Sequence, residues 1–191
     1  MPYLYVAFNK PYGVLSTFTD EEGRPALRDF IPIKDVYAAG RLDYKSEGLL
    51  LLTNDGELNH KITHPRYEHP KTYLAQVEGA AAPESIERLR HGRVLDEQNA
   101  LPAEVAIVPD PGLWPRAVPV RDVHPTTWLK IILLEGKKHQ VRRMTAAVGY
   151  PTLRLVRVAI GSIALGKLLP GEWRWLEPKE VRALKALRIR G

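Results

Sequence analysis

The chain has 191 residues, of which 45% are apolar and 26% charged, a composition typical of one globular domain or of one domain with two lobes. It contains neither a run of about 18 apolar residues nor the pattern of a signal peptide, so we expect no membrane span and a cytoplasmic location. Because it has no cysteine, disulfides and thiolate metal sites are excluded. His139 has no second histidine at ligand spacing, and no metal is predicted.

The charge of the chain is unevenly distributed. The net charge is +6, but residues 135–191 contain 13 basic and four acidic side chains, which leaves the rest of the chain at −3. Such a distribution favours a polyanionic partner such as a nucleic acid, although a merely basic, solvated surface is the alternative.

The first half of the chain predicts strands and turns with one short helix, from apolar alternation and turn residues. In chain order these are a strand at 3–8, a turn at 10–13, a short strand at 14–18, an apolar strand at 49–53, a hairpin or tight turn at 54–56, and a helix at 57–63 that ends before Pro65.

The second half of the chain also predicts strands and short helices, with no regular alternation of strand and helix. The predicted elements are a strand at 71–78, a helix at 83–92, strands joined by long loops within 97–123, a strand at 128–134, a helix at 140–148 closed by Gly149, strands at 153–160 and 162–165, and a helix at 180–187. Together they predict an α+β fold, with a mixed, mostly antiparallel sheet and short flanking helices.

A charged, glycine-bounded loop at 40–48 leads into the apolar strand and contains Asp43. Rigid strands position loop side chains well, and an ionised carboxylate can act as a nucleophile or a base. The alternative is an aspartate that caps a turn or pairs with Arg41 or Lys45.

Two further segments carry side chains suited to RNA. Lys71 and Tyr73 lie two apart on a predicted strand and therefore on one face, where an ammonium and a ring can hold a phosphate and stack a base. The alternative is a surface pair.

The segment 135–144 places a basic loop before a helix, whose first turn favours phosphate. Its candidate contacts with RNA are Lys138, His139, Gln140 and Arg143, and Arg142 is a candidate partner for a buried carboxylate. A solvated helix start is the alternative. In the next strand, Leu155 or Arg157 would line a pocket.

Taken together, the four segments resemble the pseudouridine synthases, in particular the RsuA-like family that modifies ribosomal RNA. The resemblance lies in GRLDYKSEGLLLLTNDGEL, KTYLAQVEG, EGKKHQVRRMTAAVGYPTLRLVRVAIGSIAL and the opening YVAFNKPYGVLST, in the family's order. It implies a single pseudouridine synthase catalytic domain over residues 1–191, without a separate N-terminal RNA-binding domain. A division of this domain into two lobes, at about 1–65 and 66–191, is an alternative.

The resemblance also implies the roles of five residues. Asp43 would be the essential carboxylate and Arg142 its ion-pair partner, while Tyr73 would stack on the target uracil. Leu155 would pack against the uracil face, and Arg41 would fill the gap left by the flipped nucleotide.

The implied reaction is isomerisation of uridine in ribosomal RNA, which needs neither a metal nor an organic cofactor. A monomer is the simplest expectation for the oligomeric state. The shorter subtype, which this chain resembles, acts on large-subunit RNA, and small-subunit or transfer RNA are alternative substrates. An alternative function is a non-catalytic RNA-binding or ribosome-assembly module on the same fold. A glycoside hydrolase would need a second cleft carboxylate, for which Glu47 is the near candidate.

Overall fold

Nine strands and four α-helices make up the described part of the computed structural model, which covers residues 2–91, 95, 101–121 and 123–186. The strands are β1 (Tyr5–Lys10), β2 (Tyr37–Ala38), β3 (Glu47–Thr53), β4 (Lys71–Glu78), β5 (Glu104–Val108), β6 (Thr126–Leu133), β7 (Thr152–Ile160), β8 (Ile163–Ala164) and β9 (Trp173–Trp175). The helices are α1 (Gly56–Thr63), α2 (Pro83–Arg90), α3 (Gln140–Ala147) and α4 (Pro178–Ala186), with 3-10 turns at Leu27–Asp29 and Pro65–Tyr67.

The described strands form one mixed sheet in the order β5-β6-β4-β7-β3-β1-β9, with β2 beside β3 and β8 beside β7. Neighbouring strands are antiparallel except for β3 and β7, which run parallel through Glu47–Val156 and Gly48–Arg157. The predicted mixed, mostly antiparallel α+β architecture is therefore confirmed.

Gly48 makes the parallel junction of β3 and β7 close enough to form. Its φ is +104°, and a Cβ at this position would lie 2.3 Å from the Arg157 carbonyl oxygen. Glycine alone accepts both the positive φ and the backbone contact. The junction brings the Asp43 loop, which precedes β3, against β7.

The core lies on both faces of β3, and its continuous apolar run explains why. All seven residues of β3 are buried. Leu50 and Leu52 belong to one apolar cluster and Leu49 and Leu51 to another, as the two-residue period of a strand requires. On β4, by contrast, Tyr73, Ala75 and Val77 are buried and alternate with half-buried residues, which is the pattern that predicted this strand.

One local prediction is wrong, and at a second position the structure excludes the hairpin that was one of two predicted alternatives. Residues 14–18 form no strand, because the Leu15 N–H donates to the Pro25 carbonyl and the Val14 carbonyl accepts from Lys10 Nζ. Residues 54–56 form no hairpin, because the Asp55 carboxylate accepts from the Leu58 N–H and caps α1.

Other elements differ in extent from those predicted. Within the described part of 97–123, β5 is the only assigned strand; residues 96–100 and 122 lie outside the description. Gly92 and Leu187, the predicted ends of two helices, also lie outside it. The short strands β2 and β9 were not predicted.

Candidate active site

Asp43 lies in the loop between β2 and β3, and hydrogen bonds hold the loop on both sides of it. Ser16 Oγ donates to the Leu42 carbonyl (2.8 Å) and accepts from the Leu42 N–H (3.0 Å). The Ser46 N–H donates to the carbonyl of Asp43 itself (2.9 Å). The Asp43 side chain is 36% exposed and lines a cavity of about 670 Å³. The carboxylate therefore lies at the wall of a concave site.

Lys10 supports the same loop from the core. Its ammonium group is completely buried and donates to the carbonyls of Pro11 (2.9 Å) and Val14 (2.7 Å). Burial lowers the pKa of Lys10 to about 7, and the Glu47 and Asp43 carboxylates oppose this shift. Lys10 thus lies behind the Asp43 loop, within the electrostatic reach of Asp43.

The opposite wall of the cavity is formed by side chains of β4 and β7. Tyr73 pairs in register with Arg157, and Leu155 lies two residues earlier on the same face of β7. All three residues are less than 10% exposed and line the cavity. The structure thus brings the predicted Tyr73 and Leu155 to the same site as Asp43.

Arg157, which the sequence analysis named only as an alternative to Leu155 for lining a pocket, and Ser46, which it did not name, both line the cavity. Arg157 Nε donates to the Leu49 carbonyl (2.8 Å), but its Nη2 has no hydrogen-bond partner in the described structure. Ser46 Oγ is likewise buried and unpartnered there. The signal for Arg157 was its position two residues after Leu155. For Ser46, which lies within the signature loop, the sequence contained no signal of burial.

Lys71 is the first residue of β4 and also lines the cavity. This agrees with the prediction that Lys71 and Tyr73 lie on the same face of the strand. Its ammonium donates to the His69 carbonyl (3.1 Å). Burial, and then the neighbouring Arg157 guanidinium, lower the pKa of Lys71 to about 8. Lys71 is therefore mostly charged at neutral pH and loses that charge under mildly alkaline conditions.

The basic loop before α3 closes another side of the cavity. Lys138 and His139 are exposed and line it, and His139 Nε2 lies 3.3 Å from Asp43 Oδ1. His139 adopts a left-handed backbone conformation (φ +50°) immediately before α3 begins. This turn directs the imidazole toward the carboxylate, a pairing that the sequence did not predict.

Gln140 lines the cavity, but its amide is occupied within the protein. Gln140 Oε1 accepts from the Lys137 N–H (3.1 Å), and Nε2 donates to the buried Glu135 carboxylate. The expectation that Gln140 contacts RNA is therefore not supported by the geometry of its amide. The contacts instead hold the basic loop in its closed turn.

Arg142 requires a correction. Arg142 and Asp43 are both among the described residues, yet the guanidinium donates not to that carboxylate but to the carbonyls of Lys45 (2.8 Å) and Thr152 (3.1 Å). Helix α3 places the planar guanidinium between the Asp43 loop and β7, where it donates to one backbone carbonyl on each side. Burial lowers the pKa of Arg142 and the charge of Asp43 raises it, so the two groups still interact at longer range.

The remaining predicted contacts lie toward the surface. Arg41 is exposed and lines the cavity on the side of the Asp43 loop. Arg143 is an exposed residue of α3 outside the described lining of the cavity, so it does not join the other candidates.

Glu47 does not provide a second cleft carboxylate. Its side chain is 1% exposed, accepts from Arg154 Nε (2.9 Å) and Nη2 (3.0 Å), and accepts from Trp114 Nε1 (3.2 Å). Glu47 is thus committed to a buried ion pair behind the loop. The two-carboxylate arrangement of a glycoside hydrolase is absent from the described cavity.

Comparison with known proteins decides the family of this chain. Residues 4–147 match the model of the RNA pseudouridylate synthase family. The chain belongs to the RNA pseudouridylate synthase family. This synthase is 57% identical over 171 residues to the ribosomal large subunit pseudouridine synthase E of Vibrio vulnificus, covering 88% of the chain and 73% of the relative.

Other relatives extend this result. The synthase is 50% identical over 184 residues to the ribosomal large subunit pseudouridine synthase E of Xanthomonas campestris, covering 94% of the chain and 98% of the relative. A crystal structure of a pseudouridylate synthase superposes with a TM-score of 0.81 at 30% identity, covering 96% of the chain and 74% of that structure. The predicted fold and enzyme class are confirmed.

None of the described helices is long and apolar enough to cross a membrane. No group of three or more His, Asp or Glu side chains within the described ranges is arranged to hold a metal ion.

Proposed function

We propose that this synthase converts a specific uridine of large-subunit (23S) ribosomal RNA to pseudouridine, with Asp43 as the essential catalytic residue. The relatives with 50–57% identity that are named ribosomal large subunit pseudouridine synthase E support the choice of RNA. The reaction breaks the bond between ribose C1′ and uracil N1, turns the ring, and joins C1′ to uracil C5. The hydrogen of C5 is lost and N1 gains one, so the isomerisation is balanced without a redox partner.

One observation carries the proposal: Asp43, Tyr73 and Leu155 line a single cavity of about 670 Å³, although they lie on three separate parts of the chain. A base inside a helix is out of reach of these residues, so the target nucleotide must flip out, at a cost of a few kcal/mol. Packing of the uracil between Tyr73 and Leu155 would offset part of this cost. Arg41, exposed at the cavity edge, would occupy the gap left in the RNA.

The polar groups of the cavity suit the edges of a uracil. Arg157 Nη2 and Ser46 Oγ are buried without a protein partner in the described structure. A buried donor without a partner is costly, and a uracil carbonyl oxygen would satisfy one. We assign these two groups to hold the detached ring while it turns.

Three basic side chains lie at different distances from Asp43. His139 lies next to the carboxylate, Lys10 lies behind the loop, and the Arg142 guanidinium acts at longer range. A positive charge near the carboxylate favours its ionised form when the flipped base displaces water from the cavity. Arg142 in this scheme acts through the catalytic loop and not by direct pairing.

Three basic residues that line the cavity would contact the phosphates that flank the target, namely Lys71, Lys138 and His139.

We further propose that the synthase acts as a cytoplasmic monomer. A sedimentation measurement that finds a stable dimer at micromolar concentration would contradict the monomer.

The test is direct. Unmodified 23S, 16S and transfer RNA transcripts are incubated with the synthase and with Asp43→Asn, and pseudouridine is mapped by chemical labelling. We expect one modified position in 23S RNA, and at least a ~10³-fold slower reaction with Asp43→Asn, which removes the charge but not the volume. Modification confined to 16S or transfer RNA would overturn the choice of substrate, and a fully active Asp43→Asn would overturn the catalytic assignment.

A further inference from the structure

A second cavity, of about 780 Å³, lies beside the catalytic cavity. It is bounded by the loop at 16–19, the segment 31–36 and β2. Ser16, Thr17, Gly40 and Arg41 line both cavities. The two spaces are therefore neighbours that share a wall, and Arg41 belongs to this wall.

The lining of the second cavity combines apolar side chains with cations at the surface. Ile31 and Val36 are buried at its base, while Phe18 is half-buried. The Tyr37 side chain is 63% exposed, which leaves a large aromatic surface in contact with solvent. Apolar concavities with a few polar groups at the edge are typical of small-ligand sites, and 780 Å³ falls within their usual range.

The charge of this site indicates which ligand it would take. Lys34 and Arg41 are exposed and basic, and Asp35 is the single acidic side chain among the described lining residues. Aromatic rings that stack bases, flanked by cations that hold phosphates, are the usual means by which proteins bind unpaired nucleotides.

The position of the cavity relative to Asp43 limits which nucleotide it would hold. Ser16, Thr17, Gly40 and Arg41 line both cavities, so only this shared wall separates the second cavity from the one that contains Asp43. A base in the second cavity would therefore be a near neighbour of the target uridine in the RNA.

We propose that the second cavity binds a nucleobase that flanks the target uridine, with Tyr37 and Phe18 as its aromatic contacts and Lys34 as a contact to the RNA backbone. This inference rests on the proposed function, since it assumes that the substrate RNA enters at Asp43. It gives the synthase a second point of contact with single-stranded RNA, which would help select one uridine among many.

The first experiment measures steady-state kinetics on the RNA fragment in which the target has been mapped. Tyr37→Ser removes the aromatic surface and should raise KM about tenfold with kcat within about twofold, since stacking of one base contributes ~1–3 kcal/mol. Tyr37→Phe keeps the ring and should restore most of the affinity. Ile107→Ser is the matched control, because Ile107 is 53% exposed on β5, away from both cavities, and should leave KM unchanged.

Thr19→Trp supplies a second variant that deletes no cavity contact. Thr19 is exposed and lines the second cavity, so an indole there would occupy the space meant for a base. A comparable rise in KM is expected, with a melting temperature close to that of wild type. An unchanged KM with Thr19→Trp and Tyr37→Ser would overturn the inference.

The decisive experiment pairs the protein variant with altered RNA. Substrates with one abasic position near the target are tested against wild type and Tyr37→Ser. If the cavity holds a base, one abasic position within about two nucleotides should raise KM for wild type but have little further effect on Tyr37→Ser.

Two kinds of failure are distinguishable. If wild type forms no pseudouridine in any RNA, the proposed function fails. If wild type modifies 23S RNA but the effects of abasic positions and Tyr37→Ser simply multiply at every position, the second cavity does not bind a base and only this inference fails.

Discussion

We propose that Lys71 makes the RNA binding of this synthase sensitive to pH. Its pKa is lowered to about 8, so it is mostly protonated below pH 8 and becomes neutral as the pH rises through that value. We predict that KM for RNA rises between pH 7.5 and 9 for wild type, because a phosphate contact loses its charge. Lys71→Arg, which stays charged, should show a flatter profile. Identical profiles for the two proteins would exclude Lys71 as a phosphate contact.

The Arg142 guanidinium connects the Lys45 carbonyl of the Asp43 loop to the Thr152 carbonyl at the start of β7, and we propose that it positions this loop. Lysine cannot reproduce two diverging hydrogen bonds from one planar group. We therefore predict that Arg142→Lys lowers kcat by about 10- to 100-fold and changes KM by less than about threefold. The check is a KM and kcat measurement on the mapped RNA fragment. Equal losses in kcat and in RNA affinity would instead identify Arg142 as a phosphate contact.

Single residues also show where a sequence is informative about a site. Asp43, Tyr73 and Leu155 were predicted because they lie in the sequence motifs that resemble those of the family. The structure places all three in one cavity. The Arg142–Asp43 pair was predicted and is absent, because a long side chain reaches several acceptors and the local backbone decides between them. The His139–Asp43 contact depends on one left-handed residue, which no pattern indicated.

At the scale of elements, the junction of β3 and β7 depends on Gly48. An added Cβ would meet the Arg157 backbone at 2.3 Å, and the backbone also has a positive φ. We predict that Gly48→Ala lowers the free energy of unfolding by at least ~2 kcal/mol, measured by urea denaturation.

Gly56→Ala is the matched control for this prediction. Gly56 begins α1, and a Cβ there would meet nothing within 4 Å. Alanine favours helix formation, so this variant should be as stable as wild type or slightly more stable. If Gly48→Ala behaves like Gly56→Ala, the junction does not require glycine.

Elements were predicted well where the local pattern agrees with the final packing. The alternation in β4 and the continuous apolar run in β3 correspond to one and two buried faces, respectively. The two-residue β2 and three-residue β9 have too few residues to form a periodic pattern. They form because longer neighbours offer hydrogen-bonding edges, β3 for the first and β1 for the second.

At the scale of the whole molecule, Asp55 connects three distant elements. Its carboxylate caps α1, accepts from the Tyr5 hydroxyl of β1 (2.8 Å), and lies 2.9 Å from Lys185 Nζ of α4. Burial raises the pKa of Asp55, but the hydrogen bonds from Lys185, the Leu58 N–H and Tyr5 outweigh this effect and lower it overall.

We predict that Asp55→Asn reduces the free energy of unfolding by about 2 kcal/mol at pH 7, because the charged acceptor is lost while the volume is kept. A carboxylate with a lowered pKa stabilises the fold above its unfolded value, near 3.8, and this contribution disappears as the pH falls through the folded value. The difference between variant and wild type should therefore shrink below about pH 4 in urea titrations.

Lys179→Gln serves as the control for this prediction. Lys179 pairs with Glu177 at 2.8 Å, but its side chain is 75% exposed, so solvent screens the pair and its loss should leave the free energy of unfolding nearly unchanged. A similar small effect for Asp55→Asn would mean that α4 is held by apolar packing alone.

The sequence by itself determined the class of fold, most of the longer elements, the family and the residues that meet at Asp43. It did so because the periodicity of hydrophobic residues and the short motifs each lie within one segment of the chain and do not depend on contacts between distant segments. The tertiary structure alone decided which basic side chain faces the carboxylate, that Glu47 is buried, and that a second cavity adjoins the first. These features arise where segments far apart in the chain meet, and the geometry of such contacts follows from packing, not from any single stretch of residues.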